Sequence, residues 1–439
     1  MVLSGARCRA AKPIIGLHKN PVLEDQIMLK NYETTVQYAE NLLATVFSGP
    51  IKLVVCDKFD SRHNVLRCKL IGKLENRPKC VIIKHMSIGG QTESPLQNLD
   101  FFLNELACLR LFNGLQNPYK IGPRLYCSRK DIGLLILEDL GKHQTLREIL
   151  LGKDSHLASE KLIQYGRYLG KVHVALIGKE AEFKKLSGEV SQSSSLSIQA
   201  QDLRIRIDEL LTCFEALKIN ASSAFVEAIE SLETIIYDER NPFRTWTHRD
   251  LRPLNILCLE NAQIQLVDFE LASYGHALLD AVSVRMAFPP PPAPVISGGK
   301  TIPSSVIQSF EENYRTELSK GIPEAGDDNF FQAALTQACA HWALIKLLSL
   351  WEIYLKGRLS QGKSYDSQDD IALHQEAYAR FCQQGIAYLH IFKDTAEDYD
   401  QLPVIRSGVQ LVISALGRIW PEIKPLPLFP AFQNTISRC

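Results

Sequence analysis

Apolar residues along this chain follow first a helical spacing and then a strand spacing. Between residues 23 and 47 they recur every three or four positions, which predicts an amphipathic helix. Short apolar segments separated by turn-prone runs come next, and they predict an antiparallel meander. A further helix is predicted at 99–115. The five predicted strands lie at 51–55, 64–71, 79–86, 122–130 and 131–141.

Beyond residue 141 the spacing becomes largely helical, apart from two short strand-like runs around 256–259 and 264–267. The clearest helices are predicted at 159–178, 202–217, 222–239, 332–355 and 403–420. The pattern therefore predicts an α+β fold of two lobes. A helix and a five-stranded sheet fill residues 1–140, with a hinge near 136–141, and a mostly helical lobe fills 141–439.

Three local features add to this pattern, and two of them have alternative interpretations. Ser159 is the candidate N-cap of the helix that follows it. The Ser-rich segment 186–201 predicts a surface loop, with a substrate lid as the alternative reading. The Pro-rich segment 288–294 predicts a stiff, extended spacer, and a ligand for an SH3-like module is the alternative.

The composition favours a soluble globular protein over a nucleic-acid-binding or membrane-spanning one. The 439 residues are 46% hydrophobic and 22% charged, as in ordinary soluble domains. Lys+Arg and Asp+Glu both number 49, so no basic excess points to nucleic acid. No apolar run approaches the roughly 18 residues that span a bilayer. The 11 cysteines are scattered without a CxxC pair, which predicts reduced thiols and a cytoplasmic protein.

The segment "WTHRDLRPLNIL" carries the clearest chemistry. It places Asp250 two residues after His248 and five before Asn255, and Asp268 ends the later strand "IQLVDFE". Transfer of a γ-phosphoryl group needs magnesium on the phosphates and a carboxylate that receives the acceptor's proton. Asp250 suits the base, while Asn255 and Asp268 are hard oxygen donors for Mg²⁺. A hairpin between these two would bring them side by side. Four such residues coincide by chance in about one random chain in a thousand.

Such a site also needs a lysine on an N-terminal strand and a glutamate on the helix after it. "CVIIKH" supplies Lys84 within a β-branched run, and "FFLNELACLRLF" supplies Glu105. Either residue alone would be read as a solvated charge, and only their order relative to Asp250 makes them candidates. The apolar run "LLILEDLG" then predicts the hinge, with backbone groups from Glu138 to Leu140 facing the adenine edge.

These motifs resemble those of the aminoglycoside phosphotransferase and choline kinase superfamily, which are protein-kinase-like enzymes that phosphorylate small molecules. "LEDLG" resembles its hinge, "YGRYLGKVHVAL" its LH-containing helix, and "HRDLRPLNIL" with "LVDFE" its catalytic and metal motifs. The resemblance runs from about residue 53 to 284. It implies a protein-kinase-like bilobal fold, ATP and Mg²⁺ as cofactors and a hydroxyl-bearing small molecule as substrate. It assigns Asp250 as base, Asn255 and Asp268 as metal ligands, and Lys84 with Glu105 as the phosphate-positioning pair.

The chain departs from the family pattern in three places. Arg249 stands where the family usually has glycine, and Arg252 stands two residues after the base. Arg252 is predicted to assist the transferring phosphoryl group or to pair with an acidic substrate, with a surface salt bridge as the alternative. "CDKFDSRHNVL" lacks the glycine of a phosphate-covering loop, which leaves Ser61 as the candidate donor there. Asp280, twelve residues after Asp268, resembles the family residue that supports the catalytic loop.

Two other functions remain open from the sequence. A protein kinase acting on Ser or Thr is one, although no A-P-E motif follows Asp268. A nucleotide-binding pseudokinase is the other, because of the glycine-free loop. The acceptor and the oligomeric state are not predicted. Trp342, Trp351 and Tyr354 could form a box for a quaternary ammonium group, but their helical spacing equally fits a core.

Overall fold

The computed structural model describes residues 21–59, 64–72, 77–86, 95–115, 120–190, 204–260, 263–288, 300–356 and 368–433. Within these ranges the chain forms a small lobe on an antiparallel sheet and a larger lobe built mostly from helices. The predicted α+β, bilobal fold class is confirmed. The domain boundary at residue 140 stays a prediction.

The sheet of the small lobe has five strands in the order β1-β2-β3-β5-β4, and every neighbouring pair is antiparallel. The strands are β1 (Lys52–Phe59), β2 (Asn64–Ile71), β3 (Cys80–His85), β4 (Leu125–Arg129) and β5 (Leu134–Glu138). Two helices flank this sheet, α1 (Pro21–Val46) and α2 (Pro95–Gly114). The periodicity of the sequence predicts all seven elements, with bounds that differ by a few residues.

The two faces of the sheet pack against different partners, because successive side chains of a strand point to opposite faces. On β3, Ile83 packs in a cluster with α1, and so does its cross-strand partner Ile136. Lys84, the next residue, points the other way. Its own cross-strand partner Leu135 belongs to the large cluster that includes α2 and the helical lobe. The register of β3 therefore aims Lys84 at the cleft between the lobes.

The larger lobe is assembled from helices that pack around one apolar core. They are α3 (Leu146–Leu151), α4 (Ser155–Ala175), α5 (Glu180–Val190), α6 (Ile207–Ala216), α7 (Ser223–Tyr237), α8 (Leu278–Ala281), α9 (Ser304–Leu318), α10 (Asp328–Leu350), α11 (Gln368–Asp398), α12 (Pro403–Ile419) and α13 (Pro430–Gln433).

Two local predictions in this lobe are wrong. Helix α4 begins one turn before Ser159, because Asp154 is its N-cap and accepts a hydrogen bond from the backbone N of Leu157. Residues 186–190 of the predicted Ser-rich loop belong to α5. The rest of that loop, 191–201, and the Pro-rich residues 289–294 lie outside the described residues, so the lid and spacer readings stay predictions.

Helices α4 and α9 approach each other closely at two glycines. A Cβ added at Gly166 would lie 2.5 Å from the carbonyl oxygen of Phe310, and one added at Gly170 would lie 2.7 Å from that of Tyr314. Only glycine permits this approach. It brings His173, one turn further along α4, within 2.8 Å of the Tyr314 hydroxyl.

Two small sheets frame the loops that carry the motif residues. The first contains β6 (Gln144–Thr145), β8 (Ile256–Cys258) and β9 (Ile264–Leu266), and the second pairs β7 (Arg244–Thr247) with β10 (Ser273–His276). The sequence predicts β8 and β9 but not β6, β7 or β10. Strand β7 leads into the loop that carries Asp250, and β9 leads into the turn that carries Asp268. Because β7 pairs with β10 and β8 pairs with β9, the two sheets place the loop beside the turn.

Helix α10 with the π-helical turn after it, Asp328–Ile353, is long and apolar enough to cross a membrane by length and composition, alone among the described helices. Its most apolar window is 83% buried inside the protein, as expected for a core helix. Trp342 and Trp351 lie on it and are each 5% exposed, and Nε1 of Trp342 donates to the carbonyl of Leu279 at 2.9 Å. They are core residues, so a cation box at this position is not supported. The side chain of Tyr354 lies outside the described part of the chain.

Candidate active site

Lys84 lies in an ion cluster that joins the two lobes. Its Nζ is 2.6 Å from Oε2 of Glu105 on α2 and 2.5 Å from Oδ1 of Asp268, which follows β9. The predicted Lys84–Glu105 pair is therefore present. The predicted metal ligand Asp268 contacts the same ammonium, so a residue of the small lobe and one of the large lobe meet directly.

The charges of this cluster are unequally buried. Lys84 is 6% exposed and Glu105 2%, whereas the Asp268 side chain is 29% exposed. Burial alone would lower the pKa of Lys84, but the carboxylates of Asp268 and Glu105 outweigh it and raise that pKa. Burial raises the pKa of Glu105 to about 7, against the attraction of Lys84. The ammonium thus stays protonated, and Asp268 is the acid that remains open to a ligand.

The loop between β7 and β8 carries the predicted base. Asp250 is 1% exposed, and Arg252 takes both of its carboxylate oxygens, from Nε to Oδ1 and from Nη2 to Oδ2, each at 2.7 Å. Asn255 Nδ2 donates to Oδ2 of Asp250 at 3.0 Å and to its backbone oxygen at 2.9 Å. The predicted base, its neighbouring cation and one predicted metal ligand form a single hydrogen-bonded unit.

The environment of Asp250 acts on its pKa in two directions. Burial raises the pKa, Arg252 opposes this by hydrogen bonding and charge, and the nearby Asp268 carboxylate adds to the rise. A general base works best when its pKa approaches the operating pH. Arg252 therefore favours the ionised base but also covers the oxygens that a hydroxyl proton must reach.

Asp280, on α8, fixes the backbone of this loop. Its Oδ2 accepts from the backbone N of His248 at 2.6 Å, and its Oδ1 accepts from that of Arg249 at 3.0 Å. His173 Nε2 lies 3.4 Å from the same Oδ2. His248 Nε2 lies 3.0 Å from the carbonyl of Val267, directly before Asp268. Asp280 and His248 thus tie the loop to α8 and to the end of β9, which leads to Asp268. His173 of α4 in turn contacts Asp280.

The β8–β9 hairpin places Asn255 beside Asp268, as the spacing predicts. The backbone N of Val267 donates to the carbonyl of Asn255 at 3.1 Å, which continues the ladder of the hairpin. With its Nδ2 engaged by Asp250, Asn255 offers Oδ1 as an oxygen donor, and Asp268 offers a carboxylate. This donor set fits Mg²⁺. No group of three or more His, Cys, Asp or Glu in the described ranges is arranged to hold a metal, so substrate and water oxygens would complete the coordination.

Two residues of the site adopt the left-handed backbone conformation that side chains disfavour. Arg249 has φ 64° and Asp268 has φ 71°. This conformation costs about 1–2 kcal/mol per non-glycine residue, which explains why glycine is usual at the position of Arg249. Here the guanidinium donates from Nη1 to Oγ of Ser273 at 3.1 Å, and Asp280 holds the backbone N.

The predicted hinge segment is tied to the sheet by an ion pair that the sequence does not predict. Arg67 on β2 donates from Nε and Nη2 to both oxygens of Asp139, at 2.7 and 2.6 Å. Oδ1 of Asp139 also accepts from the backbone N of Gly141 at 3.0 Å. Arg67 is 7% exposed, so the pair is a buried link between the sheet and the segment that leaves it.

The remaining predicted cofactor residues are Glu138, Leu140 and Ser61. Glu138 ends β5, and its carboxylate binds Lys120 Nζ at 2.5 Å and the backbone N of Arg124 at 3.0 Å. Leu140 is half-buried, two residues further on. Ser61 lies outside the described residues. The roles of these three residues in nucleotide binding stay predictions.

Reasoning from the sequence missed His173, Arg67 and Asn104, whose Nδ2 donates to the carbonyls of Glu270 and Ala272 in the turn after Asp268. His173 lies in the quoted "YGRYLGKVHVAL" motif, yet nothing there indicates that it meets Asp280. Asn104 directly precedes Glu105 as the one amide in the apolar run "FFLNELACLRLF", which is the signal that could have found it. Arg67 gives no signal, because its partner Asp139 is 72 residues away.

The comparison with known protein families gives one match. The model of the phosphotransferase enzyme family matches residues 96–300. That range contains Glu105, Asp250, Asn255, Asp268 and Asp280, and it begins after β3. Over this range the match agrees with the resemblance carried by the motifs. No curated protein matches the chain in sequence.

Solved structures with a similar fold are distant in sequence. A putative aminoglycoside phosphotransferase from Ralstonia eutropha is 14% identical with a TM-score of 0.42, over 80% of this chain and 94% of that one. An ethanolamine kinase from Plasmodium vivax is 12% identical with a TM-score of 0.40, over 81% and 84%. A choline kinase from Streptococcus pneumoniae is 12% identical with a TM-score of 0.36, over 80% and 98%.

Proposed function

We propose that this chain, whose residues 96–300 match the phosphotransferase enzyme family, transfers the γ-phosphoryl group of ATP to a hydroxyl group of a small molecule. The observation that carries the proposal is the contact of Lys84 with both Glu105 and Asp268 beside the loop that holds Asp250. An ammonium, an open carboxylate and a buried carboxylate at one cleft between two lobes are the groups that phosphoryl transfer needs.

Each residue has a role in binding the nucleotide. Lys84, oriented by Glu105, contacts the α- and β-phosphates, while the backbone from Glu138 to Leu140 receives the adenine edge. Asn255 and Asp268 hold Mg²⁺, which when bound neutralises charge on the phosphate oxygens. The pKa of Lys84 is raised, so the ammonium keeps its charge at every physiological pH.

Asp250 is the group that handles the acceptor's proton. As the acceptor oxygen bonds to the γ-phosphorus, its proton passes to the Asp250 carboxylate, and the bond from the γ-phosphorus to the bridging oxygen breaks to release ADP. One oxygen of Asp250 must first be released by Arg252. The freed guanidinium then lies close to the charge of the transferring group.

The pairing of Arg252 with Asp250 also supports a second candidate function. If these 2.7 Å contacts persist when nucleotide is bound and keep the acceptor hydroxyl away from both oxygens, Asp250 does not act as a base, and the chain is a nucleotide-binding pseudokinase. A protein kinase acting on Ser or Thr is less well supported. After Asp268 the chain enters β10 at Ser273 and α8 at Leu278, which leaves little segment to dock a polypeptide.

The acceptor is proposed only as a class. The similar structures include proteins named for aminoglycosides, ethanolamine and choline. Their variety leaves sugars, amino alcohols, nucleoside-like sugars and hydroxy amino acids as candidates. A screen of ATP consumption with Mg²⁺ over a library of hydroxyl-bearing metabolites separates these classes.

The variant Asp250→Asn tests the reaction once an acceptor is found. It keeps the size of the side chain but removes the base, so we expect turnover to fall by about 10²–10⁴-fold. Binding of ATP, measured by calorimetry, should change little. The matched control is Asp131→Asn, which removes an exposed carboxylate that also pairs with an arginine two residues away.

Three results would separate the candidate functions. Turnover that survives Asp250→Asn removes Asp250 from the role of base. ATP binding without phosphorylation of any small molecule or peptide supports the pseudokinase. Phosphorylation of peptides but not of metabolites supports the protein kinase.

A further inference from the structure

Asn104 is a buried amide in the middle of α2. It is 2% exposed and lies directly before Glu105, in a stretch of the helix that is otherwise mostly apolar. Asparagine is unfavourable inside a helix, because its side chain competes for backbone hydrogen bonds. A buried polar side chain at such a position normally has a partner elsewhere in the protein.

The partners of Asn104 belong to the turn that follows Asp268. Its Nδ2 donates to the carbonyl oxygen of Ala272 at 2.7 Å and to that of Glu270 at 2.9 Å, and it lies 3.4 Å from that of Phe269. These carbonyls are more than 160 residues away in sequence. One side-chain amide therefore contacts three of the five carbonyl oxygens of the 268–272 turn.

Other residues on the same face of α2 contact the same turn. Sγ of Cys108, one helical turn after Asn104, lies 4.0 Å from the Phe269 carbonyl. The ring of Phe112, a further turn along, packs edge-on against the Phe269 ring with centroids 5.0 Å apart. The turn is therefore seated on α2 along three helical turns, with Asn104 as its polar contact.

Neighbouring residues of α2 thus bind two parts of the ion cluster. Glu105 holds Lys84 of the sheet, while Asn104 holds the turn of Asp268. Asp268 itself has φ 71°, a conformation that surrounding contacts must maintain. Because Asn104 and Glu105 are consecutive, a single helix sets where the carboxylate of Asp268 lies relative to the ammonium of Lys84.

We propose that Asn104 is a positioning residue of the phosphoryl-transfer site, which holds the 268–272 turn on α2 so that Asp268 faces the metal beside Lys84. The role towards the metal rests on the proposed function. The hold on the turn rests only on the hydrogen bonds of Asn104. A residue that supports a metal ligand in this way typically contributes about 10–100-fold to metal affinity.

The test compares Asn104→Leu with Asn113→Leu. Leucine keeps the branched shape of the side chain, at a larger volume, and removes the amide. Asn113 lies on the same helix, and its amide also binds a backbone carbonyl, that of Leu125 in β4 at 2.9 Å, away from the turn. Both variants therefore lose the hydrogen bonds between one side-chain amide of α2 and a distant backbone segment, and only Asn104→Leu releases the turn.

Two readouts are measured on the full chain. The first is Mn²⁺ binding in the presence of a non-hydrolysable ATP analogue, by calorimetry. We expect roughly 10-fold or greater weakening in Asn104→Leu and less than about 2-fold change in Asn113→Leu. The second is hydrogen–deuterium exchange of amides 269–272 without ligand. It should become faster in Asn104→Leu and stay unchanged in Asn113→Leu.

Metal affinity and exchange that are equal in the two variants would overturn the proposal. If Asn104→Leu does not fold, Asn104→Ala, which removes the amide without adding bulk, is measured in the same way and must show the same two changes. If the unaltered chain binds no Mn²⁺ with the analogue, the proposed function fails together with the role towards the metal. The exchange readout then decides separately whether Asn104 holds the turn.

Discussion

The two sides of the candidate active site are held in place by different means. On the small-lobe side, Lys84 is aimed by the register of β3, whose flanking strands fix which face each residue occupies. On the large-lobe side, Asp250 and Asp268 lie in loops, and side chains such as Asp280 and Asn104 bind the loop backbone directly. Backbone pairing fixes the face of the sheet from which Lys84 extends, whereas buried side chains fix the loop backbone that carries the acids.

This difference bears on how each side responds to substitution. A strand keeps its orientation when one side chain changes, because its hydrogen bonds run through the backbone. A loop in a strained conformation depends on particular side chains, so one substitution can release it. We therefore expect substitutions on the two sides to separate losses of chemistry from losses of structure.

The largest combined effect is expected from Asp280→Asn. The carboxylate accepts two backbone N–H groups of the catalytic loop at 2.6 and 3.0 Å, and an amide can replace only one of these acceptors. We expect the free energy of unfolding in urea to fall by about 3 kcal/mol, since hydrogen bonds to charged groups are worth about 1.5–3 kcal/mol each. Turnover should be lost as well. A variant that is as stable as the parent would contradict the proposed hold on the loop.

Lys84→Met should lose turnover without losing the fold. It removes the ammonium but leaves the pairing of β3 intact, so we expect turnover to fall by about 10²–10³-fold, as when one charge-stabilising donor is removed. The fold should persist, because the neighbouring Glu105, whose pKa is already raised to about 7, can take up a proton. Circular dichroism and urea unfolding check the fold. If this variant unfolds under conditions where Asp280→Asn remains folded, the expectation that the small-lobe side tolerates substitution better is wrong.

The smallest effect is expected from Arg252→Gln. Burial raises the pKa of Asp250 and Arg252 lowers it, so removing the guanidinium should raise that pKa further. Because only the ionised carboxylate acts as a base, the acidic limb of the profile of kcat/KM against pH should move to higher pH. The matched control is Arg129→Gln, which breaks an exposed pair with Asp131 at the same sequence separation. If the acidic limb stays in place while turnover rises, Arg252 only covers the base.

The sequence predicts the elements that depend on local patterns. Five strands and two helices of the small lobe follow from periodicity, and Lys84, Asp250, Asn255 and Asp268 follow from spacing within motifs. What it does not predict are pairings between distant segments. The β7–β10 ladder and the Arg67–Asp139 pair join residues that are far apart in the chain, and Asn104 finds its partners more than 160 residues away.

The direction of a side chain is a further limit of sequence reasoning. Arg252 is predicted to meet a phosphoryl group or an acidic substrate, with a surface salt bridge as the alternative, and in the described structure it forms a salt bridge with the buried Asp250. The sequence gives the charges of both residues but not which of several nearby acids the guanidinium binds. The N-cap of α4 shows the same limit. Both Asp154 and Ser159 have side chains that can cap a helix, and the structure shows that Asp154 does so, one turn before Ser159.

The most direct test of the central claim is an anomalous-scattering crystal structure with Mn²⁺ and a non-hydrolysable ATP analogue. We expect the manganese signal between the side-chain oxygens of Asn255 and Asp268, with Nζ of Lys84 against a phosphate oxygen and the adenine at residues 138–140. A nucleotide bound outside the cleft, or a metal bound by neither Asn255 nor Asp268, would contradict the account.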